Sequence, residues 1–140
     1  MTYALLFKLA NLSVLPGWFL LVFLPQHRVT KLVMQSYFYP MLLGAVYLLL
    51  MVTSWGGDGG MDTLENLKTS FSRDEILVLG WVHYLAFDLF VGAWMVRDSQ
   101  ENKFRHFSIV PSLILTLFAG PIGLLSYFII RGIKLKRLTL

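Results

Sequence analysis

The sequence predicts an all-α integral membrane protein: a four-transmembrane-helix bundle with a short interfacial helix between the second and third spans. Three observations carry this. Of 140 residues, 56% are hydrophobic and only 14% charged, with a mean hydropathy of +0.66. A soluble domain of this size leaves too much of its surface in water to hide so much apolar area. The apolar residues also gather into four segments, 2–24, 33–55, 76–96 and 108–130, each about 21 to 23 residues and so able, as helices, to cross roughly 30 Å of hydrocarbon. Finally, the gaps between segments hold the breakers and charges. One membrane domain over 1–140 accounts for the length.

Each element follows in order. Pro25 closes the first span, and His27, Arg28 and Lys31 make a polar turn. The second span runs into Gly56-Gly57-Asp58-Gly59-Gly60, whose glycines permit backbone that no helix continues through. Asp62-Thr63-Leu64-Glu65 reads as the start of a short surface helix, with Met61, Leu64, Leu67 and Phe71 on one side, as a helix in the headgroup region requires. Ser72-Arg73-Asp74-Glu75 reads as a capping box opening the third span. Arg97 to His106 forms a short charged connection to the fourth. Four crossings place both ends of the chain on one side. The basic residues then divide five against six between the two sides, which assigns no orientation.

Composition excludes several chemistries. Without cysteine there is no disulfide, thiolate nucleophile or thiolate-bound metal. No HxxxH or ExxH pair puts two metal ligands on one helix face, and no glycine-rich loop carries the Lys-Ser/Thr of a phosphate cradle. The net charge of +4 suits anionic headgroups, with no pattern for nucleic acid. No metal and no cofactor are expected. Met1 to Phe7 lack a cationic leader, so the first apolar run is expected to stay in place.

The third span holds the candidate site. Asp88 lies near its middle and His83 about one turn and a half earlier; a charge at that depth costs roughly 2.5 to 3.5 kcal/mol and by default marks a functional group facing protein. At about 100° per residue, His83, Phe87, Phe90, Trp94 and Arg97 form one stripe and Trp81, Tyr84, Asp88, Gly92 and Met95 another. His83 and Asp88 therefore point about 140° apart. They either flank one groove or touch different neighbours. Matching depth brings Lys8 to the level of His83, and Asn11 and Ser13 towards Asp88. It also brings Tyr47 and Gly120-Pro121 into the same layer, where Pro121 leaves the Leu117 carbonyl without its helical donor. A dry aspartate and a dry imidazole suit proton donation and removal on a lipophilic substrate. The competing reading is interhelical glue and a simple kink, with Lys8 snorkelling, His27 solvated, and Trp18, Trp55 and Trp94 as anchors or packing.

The run Trp81-Val82-His83-Tyr84-Leu85-Ala86-Phe87-Asp88-Leu89-Phe90, with Asp98 after it, Arg105-His106-Phe107-Ser108 and Pro121-Ile122-Gly123, resembles the signature of the abscisic-acid-deficient-4-like family. The resemblance covers nearly the whole chain, its specific part lying in the third and fourth spans. It implies a role like that of the plant family in neoxanthin synthesis: opening a carotenoid epoxide to an allenic alcohol, an isomerisation without net redox change. It further implies His83 and Asp88 as core polar residues, with Arg105 and His106 at the far end. Supporting positions are Lys8, Asn11, Tyr47, Tyr84, Arg97, Asp98, Gly120 and Pro121. The absence of a transit peptide suggests a bacterial or cyanobacterial relative, in an inner membrane or thylakoid, whose substrate is a carotenoid or other isoprenoid lipid. A bound carotenoid, an oligomer or a pigment-complex partner is compatible with this. The alternative is a non-catalytic carotenoid-binding or small membrane assembly protein.

Overall fold

The computed structural model describes residues 2–54 and 56–136; Trp55, expected to end the second span, and Arg137 of the basic tail lie outside them. The fold is all-α, with three apolar helices long enough by residue count to cross a membrane and a shorter apolar one.

Helix α1 spans Tyr3–Phe23, capped by the Thr2 hydroxyl on Leu5 N–H, and stops at Leu24 ahead of Pro25. The first connection is tightly tied. Gln35 and Gln100 both donate to the Pro25 carbonyl, at 2.7 and 3.0 Å, and Thr30 Oγ1 donates to Leu24 O at 2.6 Å. It contains a single turn, α2 (Arg28–Thr30), and a π-helical turn, Lys31–Gln35.

The second apolar segment departs from expectation. It is not one helix over 33–55: Tyr37 adopts a left-handed conformation at φ 62°, and α3 begins afresh at Phe38–Thr53. Pro40 supplies the reason. A continuous helix needs its N–H for the Ser36 carbonyl, whereas in the first turn of a new helix that N–H is not required. The 16 residues of α3 rise about 24 Å.

Short helix α4 (Leu64–Phe71) forms where expected, with Thr63 capping Asn66 N–H at 3.1 Å. The Asn66 amide, 2.9 Å from Asp62, holds that carboxyl below the usual carboxylate range. Met61, Leu64 and Phe71 are exposed as a headgroup-facing side requires. The expected capping box does not form. Ser72 still belongs to the last turn of α4, its N–H on Lys68 O and its hydroxyl on Thr69 O, and Glu75 pairs with Arg73 at 2.9 Å.

Helix α5 (Asp74–Glu101) is the central element and packs against α1, α3 and the last helix. It runs past the expected end at 96, because no breaker precedes Lys103 at φ 57°. Arg97 and Asp98 are thus helical and not part of a loop. Leu21, Met34, Leu89, Met95, Leu113 and Tyr127 are fully buried along it.

The last element, α6 (Val110–Leu135), is the largest surprise. Ala119 leaves the helical region at φ −154°, ψ 72°, and the chain reverses there. Ser126 Oγ lies 2.8 Å from Ser112 Oγ, although fourteen residues of straight helix separate their ends by about 21 Å. A Cβ on Gly123 would collide with the Thr116 backbone. The expected fourth span is therefore a hairpin: a first limb, 110–118, and a return limb, 120–135. Its seam is built from small residues, Ser112, Thr116, Gly123 and Ser126, which let the two limbs touch.

Candidate functional site

The hairpin delivers its tip to the middle of α5. The Asp88 carboxylate lies directly against Gly120, so closely that its Oδ1 would overlap a Gly120 Cβ. Only a residue without a side chain admits the acid there. Asp88 is buried, and its Oδ2 has no hydrogen-bond partner among the described residues. Tyr84, one turn earlier, brings its phenol beside the carboxyl group and the Gly120 backbone. Pro121, next in the chain, is exposed at the tip.

Tyr84 also faces a groove. Asn11, Leu12, Trp81, Tyr84, Leu117 and Phe118 line a largely apolar cleft of about 310 Å³ between α1, α5 and the hairpin tip. Trp81 Nε1 donates to Asn11 Oδ1 at 3.1 Å, while Asn11 Nδ2 donates back to Phe7 O at 2.9 Å. The amide is thereby held with both ends occupied. Leu12 and Phe118 are exposed, so the cleft opens on the apolar flank of the molecule.

His83 is elsewhere. Its ring packs on Tyr47 (5.5 Å) and Phe87 (4.6 Å), and it is exposed on the α3-facing side of α5, in a second groove with Met61, Phe71 and Gly80. The two groups expected to act together thus touch different neighbours. Farther along the same side, Pro40, Met41, Gly44, Phe87 and Phe90 line a wholly apolar groove of about 320 Å³.

Lys8 lies by Asp74 and Leu77 at the end of α5, away from the level of His83. At the opposite end, Arg97 is exposed, pairing with Glu101 at 2.9 Å and sitting 5.8 Å over the Tyr37 ring. His106 Nε2 lies 2.8 Å from Val22 O and ties the α5–α6 connection to α1, while Arg105 is exposed beside it.

Asp98 forms a second buried polar cluster, closed in every direction. Its Oδ2 accepts from Tyr127 Oη at 2.5 Å and Arg131 Nε at 2.9 Å, and its Oδ1 from Asn102 Nδ2 at 3.1 Å. Tyr127 is fully buried against Trp94. Tyr127 and Arg131 were not foreseen from the sequence; their i, i+4 spacing on a return limb was the available signal. Among the described residues, no three His, Asp or Glu side chains gather as a metal site.

A family model described as "ABA4-like: ABA DEFICIENT 4-like" matches residues 5–127. The chain is 29% identical over 138 residues to "Protein ABA DEFICIENT 4, chloroplastic" of Arabidopsis thaliana, covering 91% of this chain and 60% of that protein. It therefore spans less than two thirds of the curated relative it matches. No solved structure matches.

Proposed function

The chain belongs to the ABA DEFICIENT 4-like family, and from that premise we propose that it isomerises a carotenoid epoxide of the neoxanthin-synthesis type, with Tyr84 and Asp88 as the working pair. One observation carries this reading: Asp88 has a buried oxygen left open, whereas Asp98 has every oxygen matched. An unmatched buried acceptor costs about 1–3 kcal/mol. A carboxyl retained for packing alone closes its bonds, as Asp98 does. Asp88 is left unclosed next to Tyr84, and Tyr84 lines a largely apolar cleft of the kind a lipophilic guest would occupy.

The chemistry balances without a cofactor. A polyene in the α1–α5 cleft presents its epoxide oxygen to Tyr84, which donates a proton as the carbon–oxygen bond opens. The adjacent vinylic proton leaves to the Asp88 carboxylate, and its electron pair becomes the new double bond of the allene. Asp88 then returns that proton to the tyrosinate. The product is an allenic alcohol, isomeric with the epoxide. The test is expression in a host that makes epoxidised carotenoids, with pigments separated by chromatography. Tyr84→Phe and Asp88→Asn are expected to lower product about 10²-fold or more, and His83→Ala to leave it near wild type. Conversion by Asp88→Asn at the wild-type rate sinks the assignment.

The separation of His83 from Asp88 favours a second reading, pigment binding without turnover. It predicts unchanged carotenoid at fixed stoichiometry in the purified protein.

A further inference from the structure

The hairpin changes the side on which the last third of the chain emerges. Its base lies at the Asp98 end of α5, where Tyr127 and Arg131 hold Asp98, and its tip reaches only to Asp88. The limb 110–118 descends about 13 Å before reversing. The chain therefore leaves α6 at the end it entered, with Lys134 5.3 Å from the Phe104 ring of the preceding connection.

All three basic segments then share one end of the bundle. Arg28 and Lys31 stand in the connection tied to Gln100 through Pro25. Arg97 lies by Tyr37 of that same connection, with Lys103 and Arg105 just beyond, and Lys134 and Lys136 close the hairpin. Each of these seven is exposed, and Glu101 is the exposed acid among them. The opposite end holds Lys8, Lys68 and Arg73 together with the acids Asp58, Asp62, Glu65, Asp74 and Glu75, of which Glu75 pairs with Arg73 and Asp74 lies by Lys8. The even division expected for four crossings becomes a strong asymmetry.

We propose that α1, α3 and α5 cross the bilayer while α6 is re-entrant, and that the basic end faces the compartment of synthesis, against the anionic headgroups of that leaflet. Basic residues near span ends are retained on the side from which insertion occurs, and that leaflet carries the negative surface potential that attracts them. The first and last described residues accordingly lie on opposite sides.

The cysteine-free sequence makes the test direct. Single-cysteine variants Gln26→Cys, Thr69→Cys and Lys136→Cys, at three exposed positions, are expressed in a bacterium and treated as intact spheroplasts with a membrane-impermeant maleimide. Thr69→Cys is expected to label at once, and the other two only after lysis. Labelling of Lys136→Cys together with Thr69→Cys would show a full fourth crossing and overturn the hairpin topology. Labelling of Gln26→Cys and Lys136→Cys in intact cells with Thr69→Cys protected would overturn the orientation.

Discussion

At Gly120 a single added carbon decides whether the site survives. Its Cβ would overlap the Asp88 carboxylate, so the carboxyl group or the hairpin tip must shift to admit it. Gly120→Ala is expected to destabilise by about 1–3 kcal/mol, the usual cost of overpacking, read as a lower melting temperature in detergent. Gly44→Ala is the counterpart: nothing lies within 4 Å of that Cβ, so it should gain up to about 1 kcal/mol of helix propensity. Equal effects of the two would show that the Asp88–Gly120 approach is not tight. The depth of Asp88 was legible because a carboxyl in an apolar run advertises its cost, and depth matching also brought Gly120 to its layer. The placement of His83 was not legible. Periodicity separates the faces of a helix but does not say which face a neighbour covers.

At the level of elements, the Asp98 cluster is the clasp that keeps α6 folded back. Asp98 and Arg131 are both buried, so removing one partner strands the other's charge. Asp98→Asn and Arg131→Met should each cost about 3–5 kcal/mol, as broken buried pairs do. Tyr127→Phe should cost about 1.5–3, the worth of a hydrogen bond to a charged group. The double variant Asp98→Asn/Arg131→Met is expected to fall well short of the summed single losses, because residues sharing one network do not act additively. Thermal unfolding of the four proteins in one detergent measures this, and strict additivity would remove the clasp. Hydropathy hid the hairpin because it counts apolar residues without regard to direction: residues 108–130 score the same straight or folded. The readable sign was the small-residue rhythm of Ser112, Thr116, Gly120, Gly123 and Ser126. The broken second span had its sign in Pro40, a residue that a hydropathy window averages away.

For the whole molecule, α5 separates a cleft shared with α1 and the hairpin tip from the two grooves on its α3 side, and the substrate reading requires the first. On the α3 side one groove lies at His83 and another between Gly44 and Phe87, and neither is lined by a group poised beside an open carboxyl oxygen. Volume does not separate the three, at about 310, 310 and 320 Å³, so chemistry must: Tyr84, the neighbour of Asp88, lines the α1-side cleft. Filling each groove in turn converts this into a measurement. Gly44→Leu projects into the open space of the α3–α5 groove, and Leu12→Trp extends an exposed side chain across the mouth of the α1–α5 cleft. Neither replaces a buried core residue, so both proteins are expected to melt near the wild-type temperature. Leu12→Trp should lower pigment conversion about tenfold or more, since a guest displaced by an ångström loses its reacting geometry, while Gly44→Leu should convert as the wild type does. The opposite pattern would move the site to the His83 side and return the imidazole to the role that its position in the sequence first suggested.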